Sequence, residues 1–313
     1  MCERLTPARC DRLVSVGNVV VDVVAAVAAL PERGGDVLAE HLAVTPGGGF
    51  NAMVAAARQG LPVLYAGALG TGPFGDLARH ALAAAGIAVR LAARGDVDTG
   101  LVVALVDAGG ERTFVTGPGA EATLTAHDLT DLRPTARDAV LVSGYGLVHP
   151  ANRAALVPWV SGLPADVLVF LDPGPLAARH APEALAAIRG RADWVVANAA
   201  EAMAITGHAE PGAAVTALAG RAGAVVRTGR DGCVIAVRGG PPTRVAGFAV
   251  TALDTNGAGD THTGVFLAGL AAGADVGTAA RRANAAAAVS VTRRGPATCP
   301  TAAELAAFLA SHR

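Results

Sequence analysis

Apolar runs that suit strands alternate with alanine-rich amphipathic stretches along most of this chain, and that rhythm narrows the fold more than any other feature. Strands and helices in alternation build βαβ units, which cover both faces of a mostly parallel sheet with helices. The strand candidates are Leu13–Val24, Val63–Ala68, Ala139–Val142, Val167–Leu171, Trp194–Ala197, Ala224–Val226 and Cys233–Val237. The helix candidates are Asn51–Gln59, Gly75–Ala85, Asn152–Val160, Glu183–Ile188, Ala199–Thr206, Ala213–Gly220, Thr261–Ala272, Val276–Thr292 and Ala302–Ala310. At 313 residues, one α/β domain over 1–313 is the simplest organisation. The turn Leu171-Asp172-Pro173-Gly174 falls after a strand, where open α/β sheets place their ligand crevice.

Two stretches break the rhythm. Gly35–Thr45 and Gly100–Thr116 read as β-ribbons, the second a hairpin around Ala108-Gly109-Gly110-Glu111. No helix is expected at once after either, so the two are predicted to pair as an accessory sheet. Its strands come from about 18–45 and 97–117. Over a ligand crevice such a sheet is a lid that keeps water out. An edge extension or a dimer contact is the alternative use, and a homodimer through the lid is the expected assembly.

The chain has no lysine, so all 25 of its basic residues are arginine. P-loops, protein kinases and pyridoxal enzymes each need a lysine and are disfavoured. If ATP is handled, positive charge must come from a metal ion, arginine, or amides at a helix start. A formal charge of −1 with no block of like charges speaks against nucleic acid or an anionic membrane surface. Apolar runs fall short of a membrane span and the first dozen residues do not read as a signal peptide, so a cytoplasmic location is expected. Cys2, Cys10, Cys233 and Cys299 show no zinc spacing and read as ordinary thiols.

The sharpest motif is Asp254-Thr255-Asn256-Gly257-Ala258-Gly259-Asp260, with an apolar helix after it. Gly257 and Gly259 permit a tight turn, and the amides of 257–259 then point outward where the helix begins. Such an anion hole stabilises charge on a migrating phosphoryl group without lysine. Asp260 in the first turn is the candidate general base. The plain alternative is a helix cap.

Other candidates gather around this motif. Asn18 and Asp22 lie four apart on one strand candidate and so face one side, and a carboxylate in an apolar strand needs water, a partner or a ligand. Gly47, Gly48 and Gly49 permit close backbone approach to a ligand, and Asn51 offers donor and acceptor to a hydroxyl. Tyr145 follows a core strand, where its ring can stack on a sugar or a nucleobase. Asn198 and Glu201 are three apart at a helix start, which suits either the hydration shell of Mg²⁺ or a capping pair. Gly229 and Gly232 flank a turn that lets adenosine lie against backbone. Arg112 and Glu111 read as solvated turn charges.

DTNGAGDTHTG resembles the C-terminal signature of the ribokinase-like (PfkB) carbohydrate kinases, and further segments resemble that family in order. They are Val16–Asp22, Gly47–Gly60, Asn198–Glu201 as NxxE, and Val226–Gly232 with Arg227, Thr228, Gly229 and Gly232 on the nucleotide side. The resemblance implies a three-layer sandwich with a β-sheet lid, and an ATP- and Mg²⁺-dependent kinase acting on a sugar or sugar-like molecule. It also implies that Asn284 lines the adenine pocket, and that Asp254 with the Asn256 carbonyl holds an activating monovalent cation such as K⁺. His262 replaces an aromatic residue of the signature and is expected to pack. Gly48 stands where the ribokinase pattern often has lysine, which leaves the acceptor open among sugars and nucleosides. A nucleoside kinase, or a non-catalytic sugar- or nucleotide-binding regulator, is the alternative on the same fold.

Overall fold

The computed structural model describes residues 9–312. The termini of the 1–313 domain, and with them Cys2, lie outside the described residues. The strands are β1 Arg12–Ser15, β2 Val19–Ala26, β3 His41–Gly48, β4 Val63–Tyr65, β5 Ala88–Val89, β6 Leu101–Val106 and β7 Arg112–Gly117. They continue as β8 Asp138–Ser143, β9 Leu168–Asp172, β10 Trp194–Asn198, β11 Gly223–Arg227, β12 Gly232–Val237 and β13 Thr243–Ala246. Nine of them form one sheet in the order β13-β12-β11-β10-β9-β8-β1-β4-β5. Only β12 runs against the other strands in it, since it pairs antiparallel with both β11 and β13.

Strand alternation explains why this sheet is covered on both sides. In β8, Ala139 and Leu141 join one core while Val140 and Val142 join the other. Trp194 and Val196 of β10 divide from Val195 and Ala197 in the same way. One core is roofed by helices Gly49–Arg58, Pro73–Ala84, Ala258–Ala271 and Val276–Val291. There Phe266 meets Phe170 and Trp194 edge-on, with centroids 6.5 and 5.4 Å away. The other core is roofed by Pro150–Ser161, Pro182–Arg191, Ala199–Thr206 and Pro211–Leu218. Each fully buried large side chain in these layers contributes roughly 1.5–3 kcal/mol. The result is the expected three-layer sandwich.

One close approach sets up the site. A Cβ on Gly264 would sit 2.3 Å from the Ala52 carbonyl oxygen, so the helix Ala258–Ala271 rides directly on Gly49–Arg58. That contact brings the starts of the two helices together.

The second sheet has four strands in the order β3-β2-β6-β7. Its pairing differs from the expectation in three ways. The two ribbons do not pair with each other, because β2 lies between them. The segment 31–40 is largely irregular, and β3 then runs straight into the helix Gly49–Arg58. The candidate strand Leu13–Val24 is two strands in two sheets. Val16 still bonds to Leu141 of β8, after which the Val19 amide donates to the Tyr65 hydroxyl and the Asn18 carbonyl accepts from Gly49. Asn18 therefore sits in the break, and strand alternation is not what relates it to Asp22. The strand β13 went unread in the sequence, since Thr243–Ala246 is short and half polar.

Among the described residues no helix is long and apolar enough to cross a membrane. Cys233 and Cys299 are buried thiols, each pushed up to about 12 by burial, as ordinary thiols would be. Leu42, Phe114 and Val115 of the small sheet are exposed.

Candidate active site

The helix that follows the DTNGAGD motif starts at Ala258, three residues earlier than the sequence suggested. Gly257 caps it at φ 72, a left-handed conformation, and a Cβ there would lie 2.0 Å from the Pro296 carbonyl oxygen. Thr261 N–H closes the first turn on the Gly257 carbonyl at 2.8 Å. The amides of Ala258, Gly259 and Asp260 thus belong to the first turn, whose N–H groups have no acceptor within the helix. Asp260 stands among them.

Asn51, near the start of the adjacent helix, donates from Nδ2 to Asp260 Oδ2 at 3.0 Å. Burial pushes the Asp260 carboxyl up from the ordinary 3.8 to about 7, with the Asn51 bond opposing and nearby Asp172 and Asp22 adding to the rise. A carboxylate in that range changes charge near neutral pH.

Behind Asp260, Arg227 at the end of β11 ties several elements together. Its Nη1 donates to Thr263 Oγ1 at 2.7 Å, to the Gly259 carbonyl at 3.2 Å and to Asp172 Oδ2 at 3.4 Å. Thr263 in turn donates to Asp172 Oδ2 at 3.1 Å, and Arg227 Nη2 pairs with Glu201 at 3.7 Å. Sequence reasoning missed Asp172 and Thr263 as members of the site. The available signal was a carboxylate closing an apolar parallel strand, where the crevice of such sheets opens.

Asn198 and Glu201 form the capping box, the rival reading of their spacing. Asn198 Oδ1 accepts from the Glu201 amide at 2.8 Å, and Glu201 Oε2 accepts from the Asn198 amide at 2.9 Å. Burial, and then Asp172, raise the Glu201 carboxyl while Arg227 opposes them. Three carboxylates, Asp172, Glu201 and Asp260, thus answer to one guanidinium. That negative balance suits a hydrated divalent cation carried in on nucleotide phosphates, the usual state of Mg²⁺ at one or two carboxylates. Among the described residues no cluster of three or more metal-ligating side chains forms a dedicated cage.

A cavity of about 920 Å³ opens beside the first turn. Asn198, Arg227, Gly229, Gly232, Ala258, Gly259 and Asn284 line it together with His262 and Phe248. It falls within the size range of small-molecule and cofactor sites. Gly229 at φ 67 and Gly232 at φ 98 shape the turn on its wall, and Thr228 closes that turn with its amide on the Gly232 carbonyl, away from the lining. Asn284 lines the cavity with both amide hydrogens engaged, given to the carbonyls of Val245 and Ala246 at 3.0 and 3.1 Å. Its Oδ1 faces His262 Nε2 at 3.2 Å, so that nitrogen carries the hydrogen. His262 also stacks on Phe266, and burial pulls its ring down to about 3, leaving it neutral. It packs, as expected, and it lines the cavity as well.

Asn18, Asp22, Gly47, Gly48, Gly49 and Asn51 are outside the lining of that cavity, and Asn51 and Asp22 among them act on Asp260. Asp22 of β2 is pushed up to about 6 by burial. A Cβ on Gly47 would lie 2.1 Å from Asp22 Oδ2, so that glycine makes room for the carboxylate rather than for a ligand. Gly48 (φ 60) and Gly49 pack on the Asn18 carbonyl. Asn18 Oδ1, Asn51 Oδ1 and Thr45 Oγ1 are buried without a partner among the described residues. Tyr145 is the second residue of the short helix Gly144–Val148 after β8, and its ring lies against Gly174. Burial, and then Glu201, Asp172, Asp260 and Asp22, push its hydroxyl up to about 12.

Two residues fall elsewhere. Asp254 is not in the cavity lining, though Thr255 next to it is, and its Oδ1 accepts from the Asn256 amide at 2.9 Å and its Oδ2 from the Gly295 amide at 3.0 Å. Arg112, read from the sequence as a solvated charge, reaches Asp254 Oδ1 at 3.4 Å and Thr255 Oγ1 at 3.2 Å.

Residues 11–303 match the family model described as pfkB family carbohydrate kinase. The chain is 33% identical over 297 residues to the uncharacterized sugar kinase YegV of Escherichia coli (strain K12), covering 93% of this chain and 91% of that one. It is 34% identical over 304 residues to an ATP-dependent ribose-1-phosphate kinase of Halopiger xanaduensis, covering 95% of this chain and 98% of that one. In fold it resembles a putative ribokinase II from E. coli in complex with ATP and Mg²⁺, at a TM-score of 0.80 and 23% identity. That likeness covers 96% of this chain and 100% of the other.

Proposed function

The chain belongs to the pfkB family of carbohydrate kinases, and from that premise we propose that Asp260 is the general base of its phosphoryl transfer to an acceptor hydroxyl. Use of ATP on a small-molecule sugar comes with the family. The observation that carries the assignment is the Asn51 to Asp260 hydrogen bond at the open first turn of Ala258–Ala271, between the cavity and the acceptor side.

The acceptor oxygen attacks the γ-phosphorus while its proton passes to Asp260, and the bond from phosphorus to the bridging oxygen breaks to leave ADP. The amides of 257–259, at the cap and first turn, and the positive end of the helix dipole stabilise charge on the migrating group. Arg227 holds the Gly259 carbonyl and so fixes that turn. Asn198 and Glu201, at the cap of their helix, are the residues that would hold a hydrated Mg²⁺ through water, and the ion would supply charge neutralisation on the phosphates. The turn from Thr228 to Gly232 and the floor at Asn284 receive the adenosine end.

On the acceptor side, Asp22, Asn18 and Asn51 offer oxygens that hydroxyls can satisfy, and a buried polar oxygen left without a partner costs roughly 1–3 kcal/mol. That suits a polyol. The ring of Tyr145 beside the same carboxylates favours a nucleoside as the second reading, since an aromatic face stacks on a base. The small sheet serves as the lid of a single domain, and its exposed Leu42, Phe114 and Val115 suit a second copy of the chain.

ADP release with Mg-ATP over a panel of sugars, phosphosugars and nucleosides tests the reading. One acceptor is expected to stand at least about tenfold above the rest in kcat/KM. If no acceptor raises ADP release over the background hydrolysis of ATP, the proposal fails.

A further inference from the structure

The small sheet meets the main-chain turn before Ala258 through a charged contact. Arg112 heads β7, and its guanidinium reaches Asp254 Oδ1 at 3.4 Å and Thr255 Oγ1 at 3.2 Å. Asp254 already receives the amides of Asn256 and Gly295, one on each oxygen. The sequence resemblance assigns this carboxylate, with the Asn256 carbonyl, to an activating monovalent cation. A bound cation needs oxygens with free lone pairs and no competing positive charge. Here the carboxylate carries three N–H donors, one of them a permanent cation, and a second cation on the same oxygens would be repelled at short range. The donor set does not fit the ion.

We infer that Arg112 takes the place of the monovalent cation, so that contact from the small sheet supplies the positive charge behind the anion-binding turn. Arg112 is then a positioning residue. It acts through Asp254, whose Oδ1 receives the Asn256 amide directly before the Gly257 cap, and it makes the geometry of that turn depend on the small sheet being seated. The inference rests on the kinase reading for its effect on turnover but not for its effect on cation binding.

Two measurements test it. Wild-type turnover with Mg-ATP is expected to agree within about twofold in K⁺, Na⁺ and tetramethylammonium chloride at matched ionic strength. The neutral variant Arg112→Gln is expected to lose about tenfold in tetramethylammonium and to regain part of that loss in K⁺. The thermal midpoint, which needs no acceptor, gives the second measurement. K⁺ in place of tetramethylammonium raises the midpoint of Arg112→Gln by about 2 °C or more and leaves the wild type unchanged. A wild type activated tenfold or stabilised by K⁺ overturns the inference, as does an Arg112→Gln enzyme indifferent to the ion in its midpoint. Failure of every acceptor to react defeats the kinase reading alone, because the midpoints still report on the cation.

Discussion

Arg227 and Asn284, on the nucleotide side of Asp260, have their donors engaged inside the protein. Arg227 Nη1 alone serves Thr263, the Gly259 carbonyl and Asp172, and Asn284 holds two carbonyls and a histidine. Asn18, Thr45 and Asn51, on the acceptor side, keep buried oxygens with no partner among the described residues. The first region is a wall whose hydrogen bonds are made before any ligand arrives. The second is completed by what binds. A phosphoryl donor common to many enzymes can be met by fixed backbone, whereas acceptor choice needs groups whose hydrogen bonds are still to be made.

The largest expected effect falls where the two regions meet. Asp260→Asn should lower kcat by a factor on the order of 10²–10⁴ while ATP affinity, followed by calorimetric titration, stays within about threefold. Comparable losses of affinity on both sides would break the division. The same substitution carries a stability signature. The folded chain holds the Asp260 proton up to about 7 while the unfolded chain releases it near 3.8, so the folded state binds more protons between those values. Stability conferred by the protonated form is therefore lost as pH rises across that window, and above it the variant should unfold later than wild type by roughly 1–3 kcal/mol in denaturant melts.

Gly47→Ala is the next largest. Its methyl would overlap the Asp22 carboxylate, so the acceptor KM should rise by as much as about 10²-fold with the ATP KM unchanged. Equal shifts in both constants would erase the distinction between the sides. Asn284→Ala should show the converse and the smallest change. Losing its three internal hydrogen bonds raises the ATP KM by about five- to tenfold and leaves the acceptor KM alone.

The layered fold was legible because its causes are local. Alternating burial in β8 and β10 and caps such as Asn198 are written in neighbouring residues. The small sheet was harder, since inserting β2 between β3 and β6 depends on a strand break around Gly17 and Asn18 that no short window displays. Of the site, the glycine turn and Asp260 were readable from spacing, and Asn51 was read without its partner 209 residues away. The partners of Asp172 and Arg112, Thr263 and Asp254, are 91 and 142 residues away, and those contacts lay beyond local reading. Gly47 was assigned to a ligand because a glycine looks the same whether it admits a substrate or a neighbouring carboxylate. Asn198 and Glu201 pose the same ambiguity, as one spacing serves a cap and a metal site alike.

The pH dependence of kcat/KM for the preferred acceptor tests the role of Asp260 most directly. The account predicts a rise of about tenfold per pH unit that levels off near 7, where the carboxylate becomes free to take the proton. A profile that stays flat from well below neutrality to well above it would contradict the assignment of Asp260 as the base.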